Sequence, residues 1–330
     1  MTAPARLALR DFVDQRVDRL RSRLVEADAE AMLVTSPEHT YYLTGSTRPD
    51  EVLVTHDGVV ADAEVPGALD AIRGPILIEA DRMSVTRYRI LARQQLRDGA
   101  ALLRQLRIVK DDLEVAVLTR AARISMAAMS EAAQAIAVGV PELDLECLLW
   151  KGIRSRGGEG WAYDPSVASG PRAARPWNGV TTRALVDGDP LVIDAGAKVR
   201  EYRADLTRTF FVGTPDVEAR RAYDAVRQAR DAAFAVLRPG VVAADVAAAV
   251  AGALSDAGYA AAMPHAAGHG LGLELHERPF LTRRSADVLV PGTVFTIEPG
   301  VYREGWGGVR LEDTVAMGED DWTPLTEDEA

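Results

Sequence analysis

The sequence predicts an α/β (α+β) protein with a small N-terminal domain, residues 1–110, and a larger C-terminal domain, residues 111–330. Three observations support this. A chain of 330 residues is long for one hydrophobic core. Short apolar runs alternate with helical patterns over the first hundred residues, and strand-like pairs separated by long helical patterns follow. The composition, 48% hydrophobic and 26% charged, is that of a globular protein.

The N-terminal domain is predicted to begin with an amphipathic helix, because Val17, Leu20 and Leu24 recur at helical spacing among charged residues. Turn-forming residues such as Ser36-Pro37 separate the apolar runs that follow. The predicted elements are a helix over 16–29, strands over 31–34, 51–55 and 75–78, and a helix near 85–96.

The C-terminal domain is predicted to contain long helices and two strand hairpins. A polar stretch, residues 107–112, places its start near Lys110. The predicted helices cover 113–136, 217–237 and 243–257, and the predicted strands cover 190–197, 202–212, 293–298 and 309–317. Each hairpin carries two carboxylates, which indicates a domain of two similar halves.

The net charge and the cysteine content limit the classes of binding partner and of metal site. With 38 basic and 49 acidic residues the net charge is -11, which argues against general binding to nucleic acid or anionic membranes. We expect a small peptide or small amide substrate. The single cysteine, Cys147, excludes an internal disulfide or a cysteine-based zinc cluster within one chain, and we expect it in the core.

The sequence also predicts a cytoplasmic protein. Residues 1–15 interleave charged and apolar side chains, so they lack the apolar region of a signal peptide. No run of about 18 apolar residues, the length that spans a membrane, occurs in the sequence.

The first hairpin is predicted to bring two carboxylates together. A turn centred between Val199 and Arg200 sets Asp194 opposite Asp205, with Cβ atoms about 5 Å apart. Asp194 follows the apolar run 191–193, where an uncompensated charge is costly. A cation would compensate it.

The second hairpin repeats this arrangement, since a loop centred on Gly305 sets Glu298 opposite Glu312. An imidazole is available nearby from His269, which lies between glycines that permit close backbone approach. Three of the five histidines in the chain, His265, His269 and His276, fall within twelve residues. Four carboxylates and one imidazole form an oxygen-rich donor set suited to two divalent ions.

The same residues lie in ordered sequence blocks. These are Asp194-Ala195-Gly196-Ala197, Asp205-Leu206-Thr207-Arg208-Thr209, His269, Glu298-Pro299-Gly300 and Arg310-Leu311-Glu312-Asp313, with Tyr42-Leu43-Thr44-Gly45 and Arg107-x-x-Lys110 plus Glu114 upstream. The blocks resemble those of the pita-bread metallopeptidases, specifically the proline dipeptidase and aminopeptidase P group. The resemblance covers nearly the whole chain. It implies a creatinase-like N-terminal domain followed by a pita-bread catalytic domain.

The resemblance also implies functions for individual residues. Five would bind two metal ions per chain, with Mn²⁺ expected first and Co²⁺, Fe²⁺ or Zn²⁺ as alternatives: Asp194, Asp205, His269, Glu298 and Glu312. The ions would lower the pKa of a water and supply hydroxide for amide hydrolysis. Glu298 would also act as general base, and His276 would hydrogen-bond the substrate or the developing oxyanion. His265 and Arg310 would line the substrate pocket, and Arg310 has a structural ion pair as its alternative. A homodimer is the habit of the family.

One position departs from the family pattern. The segment 167–177 usually ends in Pro-His, but here it ends in Pro176-Trp177, and no histidine occurs between His56 and His265. Indole has one donor and no acceptor, so it cannot replace an imidazole in proton transfer. Trp177 could narrow the pocket, stack on a substrate ring or cation, or be a packing residue.

Three functions follow from these observations. The first is an Xaa-Pro peptidase whose rate is reduced, by roughly a hundredfold or more, through loss of the imidazole. The second, which Trp177 favours, is a non-peptidase hydrolase or lyase of a small amide-like substrate on the same fold. The third is a catalytically silent binding module, against which the retention of all five ligands argues.

Overall fold

The structure is a computed structural model that describes residues 9–326. Its contacts divide the chain into two compact units, the first ending at Arg107 and the second beginning at Ile108, whereas the sequence places this boundary at Lys110. Residues 1–8, on which the predicted absence of an export signal partly rests, lie outside the described residues. Within residues 9–326 no helix has the length and apolar character needed to cross a bilayer.

The first unit is built on a mixed five-stranded sheet of order β3-β2-β1-β4-β5. Its strands are β1 (Ala31–Val34), β2 (Val52–Thr55), β3 (Val59–Ala61), β4 (Pro75–Ile78) and β5 (Gln95–Asp98), and its helices are α1 (Leu9–Glu26), α2 (Pro37–Thr44), α3 (Val65–Ala71), α4 (Val85–Ile90) and α5 (Ala100–Leu106). Strand β4 pairs parallel with β1 and β5, while β2 pairs antiparallel with β1 and β3. Buried apolar side chains from the strands, such as Leu33, Leu53 and Ile76, form its core.

One prediction for the first unit is wrong, and one helix was not predicted. The predicted helix near 85–96 ends at Ile90, and Gln95–Asp98 is strand β5. Because β5 is largely exposed, it has no apolar alternation that would reveal a strand. The residues after Ser36 form helix α2 rather than a simple turn, with Pro37 in the first turn and Gly45, at φ +67°, ending it.

The second unit contains four α-helices, among the residues that the structure describes, a 3-10 helix (Gly170–Ala174) and several small sheets. The helices are α6 (Asp112–Ala133), α7 (Glu142–Ser155), α8 (Val217–Val236) and α9 (Ala243–Asp256). The strands are β6 (Gly160–Trp161), β7 (Ser166–Ser169), β8 (Pro190–Asp194), β9 (Ala197–Val199), β10 (Tyr202–Arg203), β11 (Thr207–Phe211), β12 (Val241–Val242), β13 (His269–Gly270), β14 (Glu277–Phe280), β15 (Val288–Leu289), β16 (Val294–Ile297), β17 (Gly300–Arg303), β18 (Gly307–Arg310), β19 (Asp313–Met317) and β20 (Trp322–Pro324). Sheets of order β11-β8-β7 and β14-β13-β16-β19-β20 carry Asp194 and His269, and four more predicted site residues lie within two residues of their strands: Asp205, His276, Glu298 and Glu312.

Each half of the second unit packs a pair of helices against strands. In the first half, α6 and α7 pack together and share a core with β7, β8 and β11. In the second half, α8 and α9 pack together and share a core with β16, β18 and β19. The apolar face of each helix pair therefore supports the hairpin that carries two carboxylates.

Helix α7 was not predicted from the sequence, where Gly139 and Pro141 end the preceding helical pattern. The helix restarts directly after Pro141. Its first residue, Glu142, is a buried carboxylate that accepts hydrogen bonds from the Ser169 amide and hydroxyl at 2.8 and 2.7 Å. Cys147 lies on the exposed face of α7, so the expectation of a core thiol is wrong.

In the first unit, a buried carboxylate joins the ends of two parallel strands. Glu79 follows β4 and accepts hydrogen bonds from the backbone amides of Thr35 and Ser36, at 2.6 and 3.0 Å, and from His39. Burial alone would raise the pKa of Glu79, but hydrogen bonds from His39, Ser36 and Thr35 outweigh it and lower the pKa from 4.5 to about 2. Glu79 therefore holds the entry into α2 in its ionised form.

We expect Glu79→Gln to lower the free energy of unfolding at pH 7 by about 2 kcal/mol, because a buried acceptor of charged hydrogen bonds is lost. Since the folded-state pKa is depressed, this contribution is present above pH 4.5 and is lost as the pH falls toward about 2. Urea unfolding of the parent protein and of Glu79→Gln at pH 7, 4 and 3 measures the difference in their free energies of unfolding. Glu38→Gln, which removes a half-exposed ion pair with Arg82, is the control and should change little. A difference that does not depend on pH would contradict the prediction.

Candidate metal centre

The second hairpin has the predicted register. Strand β16 pairs with β19 so that Ile297 faces Asp313, and the next pair in this register is Glu298 and Glu312. The connection turns around Gly305, at φ +78°, as the sequence predicts. The two glutamates therefore lie just outside β16 and β19, at the same end of this strand pair.

The register predicted for the first hairpin is wrong. Strand β8 pairs with β11 so that Asp194 faces Thr207, not Asp205. The turn lies at Arg200 and Glu201, both at positive φ, one position later than predicted. A two-residue turn with two left-handed residues matches the twist of the flanking strands, but neither residue is a glycine that would reveal it. Asp205 lies in the irregular segment between β10 and β11.

The two aspartates nevertheless converge, through a residue that the sequence did not indicate. The hydroxyl of Tyr163 lies 2.6 Å from Asp194 Oδ1 and 2.5 Å from Asp205 Oδ1. Tyr163 comes from the connection between β6 and β7, and no motif or periodicity singled it out. The phenol hydroxyl links the two carboxylates in place of a direct cross-strand pair.

His269 presents one ring nitrogen to the carboxylates. Its Nδ1 lies 3.0 Å from the carbonyl oxygen of Gly270, which assigns the hydrogen to Nδ1 and leaves Nε2 free. Nε2 lies 3.6 Å from Asp205 Oδ2 and 3.6 Å from Glu298 Oε1. Ligand atoms of Asp205, His269 and Glu312 all lie within 4.8 Å of one another.

All five predicted ligands line one cavity of about 390 Å³ in the second unit. The other residues that line it are Tyr163, Asp164, Pro165, Ser166, Trp177, Asn178, Gly179, Leu275, His276 and Arg310. Burial and the neighbouring carboxylates raise the pKa values of Asp205, Glu298 and Glu312. Burial, together with the nearby His276, lowers the pKa of His269 to about 4, so it is neutral at pH 7.

This donor set fits divalent cations. Four carboxylates and a neutral imidazole, all converging on one cavity, supply hard oxygen ligands and a surplus of negative charge. Within the described residues the cation that enters the cluster is Arg310, whose guanidinium forms an ion pair with Asp194. One guanidinium leaves most of the buried negative charge without compensation, and bound metal ions would supply it.

Arg310 and His265 are joined by a second tyrosine. Arg310 is buried, donates to Thr207 Oγ1 at 3.0 Å, and donates to the Tyr302 hydroxyl at 3.0 Å. That hydroxyl lies 3.0 Å from His265 Nε2. His265 Nδ1 is 3.6 Å from Glu298, and burial lowers the pKa of His265 to about 4. Arg310 thus lines the cavity and also has the structural ion pair given as its alternative role.

His276 lies beside His269, and Trp177 lies beside His265. The ring of His276 is 4.3 Å from that of His269, centroid to centroid, and His276 lines the cavity. Trp177 also lines the cavity, with its ring 6.2 Å from that of His265 in an edge-on arrangement. The Trp177 side chain is 72% exposed, which is inconsistent with a packing residue. It forms part of the rim.

Family models cover both units. The model of metallopeptidase family M24 matches residues 116–319, well over half of the chain. The chain belongs to this family. The model of the creatinase/prolidase N-terminal domain matches residues 16–71. These matches confirm the predicted family and fold class, and they make the protein a hydrolase of the peptidase class.

Individual M24 relatives agree with the family models. An uncharacterised peptidase of Staphylococcus haemolyticus is 29% identical over an alignment 345 positions long, which covers 94% of this chain and 98% of the relative. An Xaa-Pro dipeptidase of Pyrococcus furiosus is 35% identical over 228 residues, which cover 69% of this chain and 66% of the relative. The solved structure of an Xaa-Pro dipeptidase from Bacillus anthracis has a TM-score of 0.89 and 27% identity, covering 96% of this chain and 98% of that one.

We expect purified M24 protein to bind about two Mn²⁺ or Co²⁺ ions per chain, and Asp205→Asn to bind fewer than about one. Asp205 offers oxygen atoms both toward His269 and toward Tyr163, so its loss should weaken binding of both ions. Elemental analysis after dialysis measures the count. Saturating metal should also raise the unfolding temperature of the parent protein more than that of the variant.

Glu142→Gln is the matched control for this prediction. Glu142 is a buried carboxylate of the same unit, but its partners are Ser169, Thr181 and Arg172. The control should lose stability and keep its metal count. Equal metal content in the parent protein and Asp205→Asn would show that Asp205 is not a ligand.

Proposed function

We propose that this M24 protein is an Xaa-Pro peptidase that uses two divalent metal ions per chain, with Mn²⁺ as the expected metal. The observation that carries the proposal is the convergence of five donors on one buried cavity in a chain of this family. The Xaa-Pro dipeptidases of Pyrococcus furiosus and Bacillus anthracis support the substrate class. The proposed ligands are Asp194, Asp205, His269, Glu298 and Glu312.

The bound ions would supply a nucleophilic hydroxide and polarise the scissile carbonyl. Glu298, whose carboxylate lies 3.6 Å from both His265 and His269, would take the proton of the nucleophile and return it to the leaving amine. His276 projects into the same cavity, where its imidazole can hydrogen-bond the substrate or the developing oxyanion. Arg310 would form part of the substrate-binding wall, and His265, which lies outside the residues that line the cavity, would act on it through the Tyr302 hydroxyl.

Trp177 is the position at which this site departs from the family pattern. Its exposed indole at the cavity rim offers an apolar face to a substrate ring or cation, but no proton acceptor. We therefore infer that Trp177 contributes to substrate binding and that peptide hydrolysis is slower than in a protein with histidine at this position. Location in the cytoplasm, assembly as a homodimer, and the preference between dipeptides and longer peptides stay predictions from the sequence and the family.

We expect the Mn²⁺- or Co²⁺-loaded protein to cleave Xaa-Pro dipeptides or longer Xaa-Pro peptides, and to leave matched Xaa-Ala peptides largely intact. Trp177→His should raise kcat by about tenfold to a hundredfold, because an imidazole restores a proton-transfer or oxyanion contact. Trp177→Phe is the control, since it keeps an apolar ring and gains no imidazole. Steady-state kinetics on the peptide panel measure all three proteins.

The outcomes separate the competing functions. Cleavage that appears in Trp177→His and is absent from the parent protein would exclude an Xaa-Pro peptidase as the native function. No cleavage by either protein, with two ions bound, would favour a non-peptidase hydrolase or lyase, which Trp177 at the rim makes the second candidate. Loss of metal binding altogether would favour a catalytically silent binding module.

A further inference from the structure

A buried ion pair lies directly beside the proposed catalytic residue His276. Lys110 Nζ is 2.7 Å from Glu277 Oε1, and the two side chains are 1% and 8% exposed. Removing two charges from water is costly, and a buried pair often adds little net stability. Its place in the fold therefore points to a role in orienting what lies around it.

The backbone on the lysine side connects to the strand that leads to Glu298. The amide of Lys110 donates to the carbonyl oxygen of Gly292 at 2.8 Å, and Val109 forms a β-bridge with Thr293. Thr293 directly precedes β16, which ends one residue before Glu298. Backbone hydrogen bonds thus fix the segment that carries Lys110 to β16, the strand that leads to Glu298.

Glu277, the other member of the ion pair, lies in the β13–β14 hairpin, which also carries His269. Glu277 is the first residue of β14, directly after His276, and it pairs with Gly270 of β13. A Cβ atom on Gly272 would lie 2.4 Å from Glu277 Oε1 and 3.4 Å from Lys110 Cε. Glycine at position 272 therefore provides the space in which the ion pair sits.

His276 has particular importance in this chain. Among the described residues that line the cavity, it and His269 are the imidazoles, and His269 is a proposed metal ligand. With Trp177 at the rim in place of an imidazole, the proposed hydrogen bond to the substrate or the developing oxyanion depends on where His276 points. A small change in the orientation of the His276 ring would lower the rate strongly, since a misplacement of about 1 Å can lower a rate by about a hundredfold.

We propose that Lys110 and Glu277 are positioning residues for His276, forming a cross-brace between the Glu298 strand and the β13–β14 hairpin. The inference rests on the proposed function of His276. Lys110 lies at the very start of the second unit and does not line the cavity, but it would help to set the geometry of the site.

Lys110→Met tests the cross-brace. We expect kcat on an Xaa-Pro peptide to fall about tenfold to a hundredfold while KM changes less than about threefold, because metal ligands and substrate wall are unchanged. Metal content should stay at two ions per chain. Lys110→Arg, which keeps the charge, should recover part of kcat, and Lys198→Met, which removes a surface ion pair with Glu201, should behave as the parent protein.

A second variant separates positioning from stability. Lys110→Met combined with Glu277→Leu removes both charges, so it should regain the unfolding temperature that Lys110→Met loses and still have low kcat. Recovery of both stability and kcat in the double variant would overturn the proposal, because the pair would then be structural. Loss of bound metal in Lys110→Met would overturn it as well, since the effect would then act on the ligands.

A chemical readout does not depend on peptidase activity. Diethylpyrocarbonate modification of His276, located by tandem mass spectrometry, should be faster in Lys110→Met than in the parent protein or Lys110→Arg. Unchanged reactivity of His276 would overturn the positioning role whether or not Xaa-Pro peptides are cleaved. Altered reactivity in a protein that cleaves none of them would leave the positioning role intact and count against the proposed function alone.

Discussion

The burial of four carboxylates around one cavity is the constraint on which the second unit depends. Burial and mutual repulsion raise the pKa values of Asp205, Glu298 and Glu312, so bringing these groups together as anions opposes folding. The hydroxyls of Tyr163 and Thr207 and the guanidinium of Arg310 offset part of this cost. Cations that bind the folded cluster would offset the rest, so metal affinity and stability of this unit are coupled.

The interruptions of both hairpins follow from the same constraint. In a regular strand, successive side chains point to opposite faces, so an unbroken ladder cannot direct all its carboxylates toward one cavity. The first hairpin breaks after Asp194 and around Asp205, and the second breaks at Glu298 and before Glu312. Each proposed carboxylate ligand therefore sits at the end of a strand or between strands, where the backbone can redirect the side chain.

The proposed metal ligands and the residue that departs from the family pattern lie on different elements around the cavity. The proposed ligands come from hairpins held by the helix pairs α6–α7 and α8–α9, whereas Trp177 comes from a loop at the rim. Substitution in an exposed loop costs little stability. The proposed metal ligands and the residue proposed to influence substrate binding thus lie in separate parts of the second unit, and the proposed brace through Lys110 and Glu277 acts on His276 rather than on the metal ligands.

The sequence by itself determined the family, the identity of the five proposed ligands, helices α6, α8 and α9, and the second hairpin register. Helical periodicity and a turn centred on a glycine depend on a few neighbouring residues, so the sequence shows them directly. It did not reveal α2, α7 or the first turn, because a short helix after a proline and two left-handed residues at Arg200 and Glu201 give no such local signal. Tertiary structure alone decided that Tyr163 joins Asp194 to Asp205 and that Lys110 meets Glu277, 167 residues away. Such contacts depend on how whole elements pack, and packing is a property of the folded chain rather than of any segment.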